Sequence, residues 1–136
     1  MAEDDGAGIV SPGARWTARV IATLGVLFLT FDAVIKVARL DVVARSAVEL
    51  GLPVHQMFWI GVLEVVLLIL YLLPRTAVLG AFLWTGFLGG AILTQLRVEA
   101  PLFTHVLFPT YIATLLWVPL YLREPRLRAL LPLRQA

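Results

Sequence analysis

An all-α, four-helix transmembrane bundle is the fold class this sequence predicts, on three observations. Four apolar stretches, over 16–37, 54–73, 76–96 and 105–122, each approach the roughly 20 residues that a helix needs to cross a hydrocarbon core about 30 Å thick. The composition agrees: 60% of the 136 residues are hydrophobic and 15% charged, with a mean hydropathy of +0.91, where a soluble domain carries about 25% charged residues. The connections between the stretches are short, and the one at Pro74-Arg75-Thr76 forces an antiparallel hairpin.

Along the chain, residues 1–14, with Gly6, Gly8, Pro12 and Gly13, read as a mobile tail. Its start is acidic where a signal peptide would be basic, so the first stretch reads as a retained helix. The membrane domain covers 15–122. Arg15, Trp16 and Arg19 anchor its first helix at the interface. The connection after it is the longest, and its middle, 40–50, reads as an amphipathic turn or two of helix along the surface, ended by Gly51 and Pro53. Pro109 and Pro119 are expected to kink the fourth span, and 123–136 forms a basic tail.

Orientation follows from the Lys and Arg residues on each side. Arg15, Arg19, Arg75, Arg123, Arg126, Arg128 and Arg134 lie with the termini; Lys36, Arg39, Arg45 and Arg97 lie opposite. Seven against four favours both termini in the cytoplasm of a multi-pass cell-membrane protein.

Composition also excludes chemistry. The net charge of +2 comes from arginines beside spans, which is no nucleic-acid footprint. With no cysteine, the chain cannot itself carry a disulfide relay, a thiolate nucleophile or a cysteine-ligated iron–sulfur cluster. His55 and His105 lie away from mid-span and do not suggest haem ligation, and no metal site is expected. The four tryptophans read as belt or packing residues, and Gly86 to Gly90 is a weak GxxxG signal for oligomers.

The informative residues are the polar exceptions. A charge at mid-bilayer costs at least about 2.5 to 3.5 kcal/mol, so it needs a partner, water or a purpose. Ala18, Ala22, Gly25, Leu29, Asp32 and Lys36 fall on one face of the first helix. Met57, Gly61, Glu64, Leu68 and Tyr71 form a line on the second, and Gly86, Gly90, Thr94 and Arg97 on the third. Glu64 lies about 14 Å from His55 along a helix rising 1.5 Å per residue. These placements predict a polar pocket in the outer half of the bundle, formed by Asp32, Lys36, Glu64, Thr94, Gln95, Arg97 and His105, with Glu64 deepest. Plainer roles compete: Asp32 and Lys36 can neutralise one another, Arg97 can snorkel, and His105 can cap its helix. Glu64 has no intrahelical basic partner and needs one from another helix, or a proton.

Several segments carry a family resemblance. Gly61-Val62-Leu63-Glu64, the run from Leu70-Tyr71-Leu72-Leu73-Pro74-Arg75 to Gly80-Ala81, Thr85-Gly86-Phe87-Leu88-Gly89-Gly90-Ala91 and Pro101-Leu102-Phe103-Thr104-His105 resemble the DoxX-like membrane proteins, in order. Phe31-Asp32-Ala33-Val34-Ile35-Lys36 resembles the end of that family's first helix, and the likeness covers about 16–134. The family takes its name from a subunit of a thiosulfate:quinone oxidoreductase, and relatives are associated with membrane redox and oxidative-stress complexes. The resemblance therefore implies an accessory membrane subunit rather than a stand-alone enzyme. It supplies no catalytic residue. Quinone would be reached through a partner complex, and the partners implied are the lipid bilayer, a membrane or peripheral oxidoreductase and a second copy of the chain. Two other readings stand beside it: a small oligomeric proton-coupled transporter using Glu64, and a structural or chaperone-like membrane protein in which the polar residues only fix helix register.

Overall fold

The computed structural model describes residues 11–130, and every regular element among them is helical. Six α-helices follow in order: α1 Pro12–Val37, α2 Asp41–Glu49, α3 Val54–Leu72, α4 Ala77–Arg97, α5 Phe108–Arg123 and α6 Pro125–Leu130, with a π-helical turn at Leu102–Val106 leading into α5. Four segments are long and apolar enough to cross a membrane: α1, α3, α4 and the stretch Leu102–Arg123. The chain is a four-helix transmembrane bundle.

Local chemistry sets the helix ends. The Ser11 hydroxyl accepts the N–H of Ala14 at 3.2 Å, and Pro12 occupies the first turn, where its missing N–H costs nothing. Residues 12–14 of the expected tail therefore belong to α1; residues 1–10 lie outside those described. At the other end, Leu40 donates to the carbonyl of Ile35 and Arg39 to that of Lys36, the paired bonds that close a helix C-terminus around a left-handed residue. Arg39 takes that conformation at φ 57°, Gly51 repeats it after α2 at φ 65°, and Glu99 after α4 at φ 55°. Three helices thus stop sharply at the same end of the bundle. Of the expected basic tail, 125–130 form α6 and 131–136 lie outside the described residues.

The spans form a closed ring. α1 packs against α3 and α5, and α4 completes the square against the same two helices. Leu29, Ala33, Leu67, Trp84, Leu88, Ile112 and Leu116 fill the centre, while Trp59, Phe82, Leu93 and Phe31 face outward, as lipid requires. With lipid outside, helix packing relies on close contact and internal polar bonds rather than on escape from water. Tyr71 of α3 provides one such bond, its hydroxyl donating to the Leu116 carbonyl of α5 at 2.7 Å. That bond sits beside Pro119, which has no N–H to give the α5 ladder. Pro109 differs from expectation: it lies in the first turn of α5 and starts that helix rather than bending it.

The segment α2 is amphipathic, as its pattern predicts. Val43 and Ala47 are buried against Met57 of α3, with Ile35, Leu52 and Ile60 around them. It therefore packs across the end of the bundle where α1 stops and α3 begins.

Candidate functional site: a charged cluster on a partly open cavity

Glu64 sits ten residues into α3, which places it about 15 Å along the helix, near the middle of a 30 Å core. Its side chain is 1% exposed. The Lys36 ammonium of α1 donates to Glu64 Oε1 at 2.5 Å and to Asp32 Oδ2, also at 2.5 Å. Helix geometry explains how the three meet. Cα–Cβ bonds tilt toward a helix's own N-terminus, so Lys36 reaches back one turn toward Asp32. In the antiparallel α3 the same tilt raises Glu64 toward Lys36. Gly61 supplies the close approach: a Cβ there would lie 2.7 Å from the Cβ of Lys36 and 3.1 Å from the backbone nitrogen of Val37.

This cluster forms part of the wall of a cavity of about 580 Å³. Phe28, Leu29, Phe87, Leu88, Ile112 and Met57 make most of its surface apolar, and α2 closes one side with Val42, Val43, Ser46 and Leu50. Gly86 and Gly90 border it from α4, and a Cβ on either would meet nothing within 4 Å. The GxxxG pair therefore borders open space rather than a packed neighbour. Thr94, Gln95, Thr104 and His105 add hydrogen-bonding groups to the same cavity. The Thr94 hydroxyl donates to the Gly90 carbonyl at 2.9 Å, and Thr104 Oγ1 lies 2.8 Å from His105 Nδ1.

Six of the seven residues expected from sequence, namely Asp32, Lys36, Glu64, Thr94, Gln95 and His105, border this one space. Arg97 does not: its guanidinium donates to the carbonyl of Leu50 at the end of α2. That carbonyl belongs to the set a helix C-terminus leaves unpaired, and a cation there also complements the helix dipole. The contribution of α2 to the cavity wall was not readable beforehand. Its apolar face identified a helix, but nothing in that pattern says what the face covers. The π-helical turn was equally hidden; it carries Thr104 and His105 to the cavity and is separated from α5 by Leu107, just before the non-donating Pro109.

One polar atom in the cluster stays unmatched. Glu64 Oε2 is buried without a hydrogen-bond partner among the described residues. A buried oxygen in that condition costs roughly 1 to 3 kcal/mol, more when charged. The cluster can therefore take up a proton or a hydrogen-bond donor at that atom.

The family model for the DoxX-like family matches residues 20–119, most of the chain and all four spans in large part. The chain belongs to the DoxX-like family. Comparison with curated proteins and with solved structures finds no match for it. Every residue of the cavity cluster lies within the DoxX-like region, which together with the four apolar helices makes this a multi-pass membrane protein.

Proposed function

We propose that this DoxX-like protein holds an amphiphilic small molecule, of the lipid or quinone class, and presents it to an oxidoreductase partner as an accessory membrane subunit. The observation that carries this reading is the partly open cavity itself. At about 580 Å³ it falls within the roughly 300 to 1,000 Å³ typical of small-molecule sites, and it shares their mostly apolar lining with a few converging polar groups. The apolar walls suit a tail or ring, and Glu64, Lys36, Asp32, Thr94 and Gln95 suit a polar head. With cytoplasmic termini the polar end lies in the outer half of the membrane. A chain without cysteine has no thiol or cysteine-ligated cluster of its own for electron transfer, which suits a partner or a bound quinone in that role.

Gentle extraction into lipid-polymer discs, followed by mass spectrometry, tests the proposal. A lipid or quinone should co-isolate above its bulk membrane abundance, together with an oxidoreductase subunit. Gly86→Leu, which fills open cavity space, should lower the retained molecule. Recovery of neither ligand nor partner would overturn the reading.

The unpartnered Glu64 Oε2 favours one further reading, an oligomeric proton-coupled carrier in which Glu64 loads and unloads the proton. Solute flux in proteoliposomes that is unchanged by Glu64→Gln would rule it out.

A further inference from the structure

We propose that the ligand head recognised by the Glu64 cluster is a primary ammonium, so that the cavity takes an amine-bearing amphiphile. The inference rests on the cavity reading above and narrows its ligand class. Two observations support it, both for the ionised Glu64 carboxylate. The first is the orphan Oε2 of Glu64, on a side chain 1% exposed at the cavity wall. An ionised carboxylate oxygen only accepts, so the partner it lacks in that state is a donor. A quinone carbonyl, itself an acceptor, would suit only the protonated acid.

The second is charge. Asp32 and Glu64 share the single ammonium of Lys36, which leaves the ionised cluster one positive charge short. A hydroxyl would satisfy the hydrogen bond but not the charge; a quaternary ammonium would satisfy the charge but donates nothing. A primary ammonium does both. Thr94 and Gln95 on α4 are neutral; His105 also borders the cavity, its Nδ1 2.8 Å from Thr104 Oγ1. The apolar remainder of the cavity takes the tail.

The test uses the full chain in phosphatidylcholine nanodiscs and four probes with the same ten-carbon tail: decylamine, decyltrimethylammonium, decanol and decanoate. Binding is read by saturation-transfer NMR against empty discs. Decylamine should bind about tenfold or more tighter than each of the other three, the increment a charge-assisted hydrogen bond provides. In Glu64→Gln that preference should collapse to within about twofold, since the oxygen then belongs to a neutral amide. Should this variant not fold, the ranking of probes on the unaltered chain decides alone.

Saturable decanol binding as tight as that of decylamine would overturn the ammonium proposal while leaving the cavity reading intact. Equal binding of decyltrimethylammonium would overturn it too, by removing the need for a donor. No saturable binding of any probe would overturn both readings. Repeating the titration in discs containing phosphatidylethanolamine separates the sources of ammonium: competition assigns it to a lipid headgroup, and undiminished decylamine binding to a free amine, either outcome supporting the proposal.

Discussion

The ammonium of Lys36, one residue from the end of α1, lies 2.5 Å from the carboxylate of Glu64 in the middle of α3. The bond joins two neighbouring antiparallel helices inside the bundle and is shared with Asp32. Removing one partner of a buried ion pair leaves the other uncompensated, at a cost of about 3 to 5 kcal/mol. Lys36→Met strands two acids and should fall in this range. Glu64→Gln leaves Lys36 still paired with Asp32 and should cost less, about 1 to 3 kcal/mol. The double variant should be more stable than the two losses added together, because no buried acid on α3 then lacks its cation. Denaturation in mixed micelles with SDS measures all three. Strict additivity would show that the pair does not couple α1 to α3.

The same junction depends on a missing methyl group. Gly61→Ala places a carbon 2.7 Å from the Lys36 side chain and 3.1 Å from the Val37 backbone, so the helices must separate. Overpacking of this kind costs about 1 to 3 kcal/mol. By contrast Gly86→Ala, inside α4 where a Cβ would meet nothing within 4 Å, should leave stability unchanged or raise it by up to about 1 kcal/mol, since alanine is the better helix former. Thermal unfolding of the two variants in one detergent provides the comparison. Equal losses would contradict the close packing at Gly61.

Much of this arrangement was legible in the sequence because membrane constraints are strong. Only helices satisfy their own backbone in lipid, so four apolar runs fixed four spans, and the helical period placed Asp32, Lys36, Glu64 and Thr94 on inward lines. The period also left Glu64 without a partner on its own helix, which pointed to a neighbouring one. What the pattern lacked was relative depth and rotation between helices. Arg97 shares a line with Gly86, Gly90 and Thr94, yet it sits at the last position of α4, where a long side chain can swing to the nearest free carbonyl. Which carbonyl that is depends on where α2 lies, a tertiary fact. Pro109 likewise carried two local meanings, a kink or a helix start, and only the backbone around it distinguishes them.

Arg97 should hold α2 over the cavity. Its bond to the Leu50 carbonyl is the tie between the end of α4 and the end of α2, and Arg97→Ala would remove it. Because the chain has no cysteine, Ser46→Cys is a clean reporter on the cavity-facing side of α2. Maleimide labelling at this position should be about 5- to 10-fold faster in the Arg97→Ala background, corresponding to an opening equilibrium shifted by roughly 1 kcal/mol or slightly more. An unchanged rate would mean that Val43 and Ala47, packed on Met57, hold α2 unaided.

Orientation is the remaining question on which the position of the polar end depends. Four spans place the start of α1 and the end of α5 on one side, and the Lys and Arg bias, seven with the termini against four opposite, favours the cytoplasm for that side. Besides Lys36, two of the four opposing charges also make contacts within the protein. Arg97 is tied to Leu50, and the Arg39 guanidinium lies 4.6 Å from the centre of the Phe58 ring. Fusions of a cytoplasm-active and an exterior-active reporter at each terminus should therefore give cytoplasmic signal at both. A cysteine placed at Glu99, in the turn that ends α4, should label from outside intact cells with an impermeant maleimide. Labelling only after permeabilisation would invert the molecule and move the Glu64 cluster to the cytoplasmic half of the bilayer.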